Sequence, residues 1–270
     1  MRADITPSGT KGLEAVLRDP GSALLAFDFD GVLAPIVEDP DQAKPYPTML
    51  AALGRISRHV LPMAIITGRP VSFIRAKGWF TEHPVPGLRV FGQYGRERWD
   101  VGSGPQDAAG DDAGITAVKE ELSRLDLPAG ALIEDKGGAV AVHTRRTADP
   151  HGAITRLRTP LVELAARHSL IVEPGRFVIE LRQAGTDKGR TLSGIVSELA
   201  AASVVYAGDD LGDLSAFAAV DTLSIPGLKI CSGSAEAPEV AARADLTVPG
   251  PEGMATFLHD LAEILDRRCP

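Results

Sequence analysis

Several short apolar runs in this chain stop abruptly at polar residues. Leu24-Leu25-Ala26-Phe27 runs into Asp28-Phe29-Asp30-Gly31, Met63-Ala64-Ile65-Ile66 into Thr67-Gly68-Arg69, and Val204-Val205-Tyr206-Ala207 into Gly208-Asp209-Asp210. Unalternating apolar runs of this length read as strands buried on both faces. Between them the pattern turns helical. A helix is expected from about Thr48, with Leu50, Leu53 and Ile56 on one face, and a second opening at Pro70, where proline suits a first turn. A strand follows at Leu88–Phe91. Strands alternating with helices over residues 22–95 predict an α/β domain with a parallel sheet.

The rhythm then changes. Residues 101–112 are polar and glycine-rich, as a boundary or surface loop would be. Beyond them the pattern predicts a helix at 113–125, a hairpin of Ala131–Glu134 and Ala139–Arg145 turning near Gly137-Gly138, a helix at 151–168, and a second hairpin of Leu170–Glu173 and Arg176–Arg182 turning at Pro174-Gly175. After Lys188 the alternation resumes, with a helix at 188–200, strands at 203–207 and near 228–231, a helix at 213–219 and a last helix at 252–267. The expected organisation is therefore a core in two parts, 1–99 and 185–270, interrupted by a small α+β domain at 100–184.

Within the insert, alternation sorts side chains by face. Arg176, Glu180 and Arg182 fall on one side of their strand, and Phe177, Ile179 and Leu181 on the other, which should bury against the helices. His143 shares a parity with Arg145, and Glu134 with Lys136. Such a face is ordinarily solvated, yet glutamates that accept and lysines or arginines that donate also suit a polyol.

Composition narrows the class without choosing a chemistry. A chain of 270 residues can bury a sizeable core. With 28 Lys and Arg against 36 Asp and Glu, the formal charge of −8 disfavours a nucleic-acid or anionic-membrane binder. The two cysteines, Cys231 and Cys269, are too few for a disulfide scaffold and lack metal-ligand spacing. The first residues lack the apolar core of a signal peptide, and no apolar run is long enough to span a bilayer, so a cytoplasmic monomer is the expectation.

The strand ends carry the candidate chemistry. Asp28 can attack phosphorus and form an aspartyl-phosphate, while Asp30 protonates the leaving alcohol and then deprotonates the hydrolytic water. The two would share a side if the strand continued, although Gly31 suggests that the backbone turns there. Thr67 can hydrogen-bond a phosphoryl oxygen, and Lys188, opening a helix after Gly185-Thr186-Asp187, can neutralise charge shared by that group and Asp28. Asp209, Asp210 and Asp213 form an acidic cluster suited to a hard cation, with Mg²⁺ expected beside a phosphate. Taken singly these are a helix cap, a solvated lysine and a turn. Together they supply nucleophile, hydroxyl, ammonium and metal site in a workable order.

This order resembles the haloacid dehalogenase superfamily, whose four motifs match Asp28 with Asp30, Thr67, Lys188, and Asp209 with Asp213. The resemblance implies a Rossmann-like core with an inserted cap. It also implies Mg²⁺ held by Asp28, the backbone carbonyl of Asp30, and Asp209, with Asp210 and Asp213 supporting them from behind. Further pieces narrow it: Ala34-Pro35-Ile36-Val37, Gly68-Arg69-Pro70, Gly92-Gln93-Tyr94-Gly95-Arg96-Glu97, Glu134-Asp135-Lys136-Gly137, His143-Thr144-Arg145, Pro174-Gly175-Arg176, Glu180-Leu181-Arg182 and Asp187-Lys188-Gly189. With these the chain resembles the trehalose-6-phosphate phosphatase family over nearly its whole length. By position Glu134, Lys136, Arg145, Arg176 and Glu180 would hold the disaccharide, with Arg69 and Tyr94 near the phosphate or sugar. Four departures stand out: Tyr94 where the family usually has His, Arg176 for Lys, Gln183 for Pro, and Gly212-Asp213-Leu214 for Thr-Asp-Glu. A phosphatase of a related pseudo-disaccharide phosphate, a sugar phosphomutase and a catalytically silent sugar-phosphate-binding regulator therefore stay open as alternatives.

Overall fold

The computed structural model describes residues 5–103, 113–136, 138–175, 177–183, 185–233 and 238–268. Two compact units divide the chain, one of Met1–Asp107 with Asp187–Pro270 and one of Ala108–Thr186. The first unit begins with α1 (Pro7–Arg18), β1 (Ala23–Phe27), α2 (Pro47–Ile56), β2 (Ala64–Ile66), α3 (Val71–Ala76), α4 (Trp79–Glu82), β3 (Arg89–Gly92) and β4 (Glu97–Asp100). The second holds α5 (Ala113–Leu122), β5 (Leu132–Asp135), β6 (Ala139–His143), α6 (Pro150–Arg167), β7 (Leu170–Gly175) and β8 (Val178–Gln183). The chain then completes the first with α7 (Lys188–Leu199), β9 (Ser203–Gly208), α8 (Leu214–Thr222), β10 (Gly227–Gly233), α9 (Pro238–Arg243), β11 (Leu246–Pro249) and α10 (Gly250–Arg268).

Among the described residues of the first unit, seven strands form one sheet in the order β11-β10-β9-β1-β2-β3-β4, parallel except for β4. Its central strands β9, β1 and β2 are buried throughout, which explains their largely apolar composition. Leu25, Phe27, Val205 and Ile230 pack with residues of α1, α2 and α10 on one face. Leu24, Ala26, Val204 and Tyr206 pack with α7, α8 and α9 on the other. Full burial of each large apolar side chain contributes roughly 1.5–3 kcal/mol, so both layers are needed to hold the sheet. The strand β1 has β2 on one side and β9 on the other, so the chain leaves their carboxyl ends in opposite directions. A crevice opens at such a reversal, and ligands bind there in open α/β sheets.

In the second unit the strands run antiparallel in the order β5-β6-β8-β7. Val140, Val142, Ile179 and Leu181 bury one face against Ile115, Val118, Leu157 and Leu161 of α5 and α6. Phe177 departs from the expected alternation. Its φ of 58° lifts it out of the extended backbone before β8, and its ring meets His151 edge-on at 4.8 Å instead of joining that core.

Candidate active site

The backbone after β1 is bent to bring acids from two strands close. Asp28 still donates its N–H to the Ala207 carbonyl of β9 at 2.9 Å, after which the chain turns through Gly31, whose φ is +73°. A Cβ at Gly31 would lie 2.1 Å from an Asp209 carboxylate oxygen, so only glycine lets the turn pass that side chain. Ser232, on β10, fixes the turn by donating its hydroxyl to the Gly31 carbonyl at 2.6 Å.

Lys188, at the first turn of α7, lies between two carboxylates. Its Nζ is 2.8 Å from Asp28 Oδ2 and 2.7 Å from Asp213 Oδ1. Asp213 is fully buried and accepts four hydrogen bonds, from Lys188 Nζ, the Tyr206 hydroxyl at 2.6 Å, and the backbone N–H groups of Asp209 and Asp210. That set uses the accepting capacity of a carboxylate. Burial alone would raise the Asp213 pKa, but the Lys188 ammonium and the Tyr206 hydroxyl hold it below the usual range. Burial works against the Lys188 charge too, yet Asp213 and Asp28 overcome it and keep the ammonium charged.

The remaining acids lack such compensation. Burial raises Asp28 well above the ordinary carboxylate value, with Asp213 and Asp210 adding to the rise and Lys188 opposing it. Asp209 is raised by burial and by Asp210, Asp28 and Asp213. Asp210 reaches the surface, yet on the side facing the cluster it loses enough water to be pushed up to about 6, against the pull of Lys188. One ammonium therefore serves several crowded carboxylates, an excess of negative charge that a divalent cation would relieve. Asp28, Asp210 and Asp213 each place an oxygen within 4.8 Å of the other two. Of these Asp213 is saturated with donors, while Asp28 is paired with Lys188, Asp210 accepts the Gly212 N–H through Oδ1 at 2.9 Å, and Asp209 lies against Gly31.

Asp30 lies beyond the end of β1, next to the Gly31 turn. Arg69 holds it by a two-pronged pair, Nε to Oδ2 at 2.6 Å and Nη2 to Oδ1 at 2.7 Å. The guanidinium lies over the Phe73 ring at 4.1 Å. Thr67 is buried, and its Oγ1 accepts the Arg69 N–H at 3.1 Å. The loop after β3 buttresses this turn. Gln93 and Tyr94 both take positive φ, 48° and 60°, conformations that cost energy for residues with side chains. They are tied down by Gln93 N–H to the Arg69 carbonyl, Tyr94 N–H to the Thr67 carbonyl, and Thr191 Oγ1 to the Tyr94 carbonyl at 2.7 Å. The Tyr94 phenol packs against Gly68.

The other candidate residues sit on the second unit, four of them described. Cross-strand register puts Glu134, Ala141, Glu180 and Glu173 in one row on the face away from the helices. Acids side by side across strands repel, so each has a basic partner. Lys136 Nζ reaches Glu180 Oε2 at 2.6 Å, His143 Nε2 is 2.8 Å from Glu134 Oε2, and Arg182 Nη2 is 2.6 Å from Glu173 Oε2. Glu180 is 4% exposed, and its other oxygen is buried without a hydrogen-bond partner. Arg145 places its guanidinium 5.6 Å from the centre of the Phe177 ring. Arg176 lies outside the described residues, as does Cys269.

Sequence reasoning missed Tyr206 and Ser232. Tyr206 was legible as the one polar tip in the run Val204–Ala207, at the strand position whose parity matches Asp28 through register with Ala26. Ser232 gave no signal, because its contact depends on a loop 201 residues away. Cys231 is buried in β10, and burial with the Asp209 charge pushes its thiol up to about 11, so it is an unreactive packing residue. Among the described residues no helix is long and apolar enough to cross a membrane.

Comparison with known proteins places this geometry. A trehalose-phosphate phosphatase of Mycobacterium avium (strain 104) is 35% identical over 257 residues, which cover 89% of this chain and 62% of that protein. One of Mycobacterium leprae (strain TN) is 32% identical over 257 residues, covering 88% and 57%. The chain thus spans about three fifths of the length of these relatives. The C-terminal domain of a Candida albicans trehalose-6-phosphate phosphatase shares the fold, with a TM-score of 0.77 at 21% identity over 96% of this chain and 99% of that one. The family model described as trehalose-phosphatase matches residues 26–252. Because that match extends from β1 into α10 and takes in both units, the chain belongs to the trehalose-phosphatase family.

Proposed function

We propose that the protein hydrolyses trehalose 6-phosphate to trehalose and phosphate through an aspartyl-phosphate on Asp28. The observation that carries this reading is the Asp28–Lys188–Asp213 chain of contacts at the carboxyl ends of β1 and β9, where a sheet of this topology binds ligands. Family membership supports the choice of substrate.

An oxygen of Asp28 attacks phosphorus as the bond from phosphorus to the sugar oxygen breaks. Asp30 gives its proton to that oxygen, and trehalose leaves. Water then attacks the phosphoryl group and loses a proton to Asp30, and the bond to Asp28 breaks to restore the carboxylate and release phosphate. Lys188 stays charged throughout, since two buried carboxylates hold its proton, so its ammonium can neutralise the negative charge that spreads onto Asp28 and the phosphoryl oxygens. The Thr67 hydroxyl, whose oxygen already accepts from Arg69, has its O–H left to donate to a phosphoryl oxygen. Mg²⁺, held by Asp28 and Asp210, with Asp209 and the Asp30 carbonyl as the further candidates, would supply charge neutralisation and orient the phosphoryl group.

The open sheet face of the second unit is proposed to read the sugar. Glu134 and Glu180 accept from hydroxyls, and Lys136, Arg145 and Arg176 donate to them. The partnerless oxygen of Glu180 is the clearest vacancy for such a hydroxyl, because an unmet buried acceptor costs about 1–3 kcal/mol. The residues 100–184 act in this proposal as the substrate-selecting cap. Arg176 and Tyr94, which differ from the family's usual residues, are where selectivity would shift toward a related disaccharide phosphate. Phosphate release across a panel of sugar phosphates with Mg²⁺ tests the reading. Trehalose 6-phosphate should have the highest kcat/KM, and no release from any disaccharide phosphate would refute it.

A further inference from the structure

The pairing of Asp30 with Arg69 conflicts with the work assigned to Asp30. Both carboxylate oxygens are engaged by one guanidinium, at 2.6 and 2.7 Å. A two-pronged guanidinium pair suits a carboxylate and not the acid that hands a proton to a leaving oxygen, so the pair must open when Asp30 acts as the acid. The arginine is placed to open it. Its backbone N–H is bonded to Thr67 Oγ1, so it issues from the same turn as the hydroxyl proposed to hold the phosphoryl group. A phosphate ester offers a guanidinium the same two-oxygen edge as a carboxylate, with more charge. Phe73, 4.1 Å below the guanidinium, gives it a surface on which to pivot while keeping its cation–π contact. Asp30 itself is a third exposed at its side chain, so water can take the place of the guanidinium when the pair opens.

We propose that Arg69 is a positioning residue that works as an exchangeable latch. It holds Asp30 until the substrate's phosphoryl group takes Asp30's place, and it returns to Asp30 as phosphate leaves. The inference rests on the reading of Asp30 as acid and base given above. The latch ties release of that group to occupancy of the phosphoryl site, and it makes Asp30 a competitor of the product for Arg69.

A double-mutant cycle on product affinity tests this, with inorganic phosphate titrated calorimetrically into the Mg²⁺-loaded full chain. In the presence of Arg69, Asp30→Asn removes the competitor, and phosphate should bind about tenfold more tightly. In the Arg69→Gln background the same change should alter affinity by less than about twofold, because no guanidinium remains to be shared. If Arg69→Gln fails to fold or to bind phosphate, Arg69→Lys replaces it. That change keeps the charge but not the fork, and the effect of Asp30→Asn should fall to less than half. An Asp30→Asn gain that is as large without Arg69 as with it would mean simple relief of charge repulsion and would overturn the latch. So would no gain at all. The cycle reads binding alone, so absence of trehalose 6-phosphate turnover would refute the phosphatase reading while these affinities still decide the latch.

Discussion

The strand ends of the first unit crowd four acids around one lysine, whereas the row of three glutamates on the open sheet face of the second gives each acid a basic partner of its own. Asp28 and Asp213 share Lys188, with Asp209 and Asp210 pressed close behind. Glu134, Glu180 and Glu173 are matched one to one with His143, Lys136 and Arg182. Crowding leaves net negative charge and raised pKa values, which suit a cation and a transferable proton. One-to-one pairing leaves no crowd of like charge and many donors and acceptors, which suit the hydroxyls of an uncharged sugar. The difference separates chemistry from recognition within one chain, and it can be broken from either side.

The largest effect should come from the nucleophile. Asp28→Asn should lower kcat by about 10⁴-fold or more on every phosphate ester, since the covalent step is lost. The substitution also removes a charge from a crowded cluster, so the folded protein should be no less stable to heat. Substantial phosphate release by a folded Asp28→Asn protein, measured by phosphate assay, would end the aspartyl-phosphate account.

Asp213 should matter to stability as well as to rate. Asp213→Asn faces an amide toward Lys188, Tyr206 and two backbone donors, and breaking a buried pair of this kind costs about 3–5 kcal/mol. Denaturant unfolding measures it. Loss of the Glu134 partner of His143, a pair with both side chains about a third exposed, should cost far less, about 1 kcal/mol or under. Equal costs would erase the contrast between the two clusters.

The smallest effect is one of pH. Groups whose folded pKa exceeds the unfolded value bind more protons folded than unfolded, so their stabilisation is complete below about pH 4 and is lost as pH climbs through the folded value. Asp28 and Asp209 are raised in this sense, and Asp210 to about 6. In chelator, the thermal midpoint should therefore fall as pH climbs above about 4, with the Asp210 share lost through about pH 6. Mg²⁺ binds the ionised acids, so its stabilising shift should be larger at about pH 7.5 than at about pH 5. An equal shift at both would argue against a carboxylate site.

Much of this was legible in the sequence, for a reason that particular elements make plain. The strands β1, β2 and β9 are wholly buried and end in Asp28, Thr67 and Asp209, so burial and chemistry meet at one boundary. What escaped was either polar or remote. α1 was missed because Gly9 and Gly12 dilute its helical pattern. They are there for close approach, since a Cβ on Gly12 would lie 2.1 Å from the Gly227 carbonyl oxygen. Of its pattern, Thr6 at the N-cap and Pro7 at the first turn were the readable part. β4 and β11 lie at the sheet edges, where Glu97-Arg98-Trp99-Asp100 and the short Leu246–Pro249 do not carry an unbroken apolar signature. The pairing of Arg69 with Asp30 joins residues 39 apart through a turn that no periodicity encodes.

Comparing an ester that carries the disaccharide with one that does not tests the division of labour most directly. The measurement is kcat/KM for trehalose 6-phosphate and for p-nitrophenyl phosphate, with the wild type and Glu180→Ala. The account predicts a loss of about 10- to 100-fold on the sugar phosphate and less than about twofold on the aryl ester, because the lost acceptor serves only sugar hydroxyls. Equal damage to both substrates, or to neither, would contradict it.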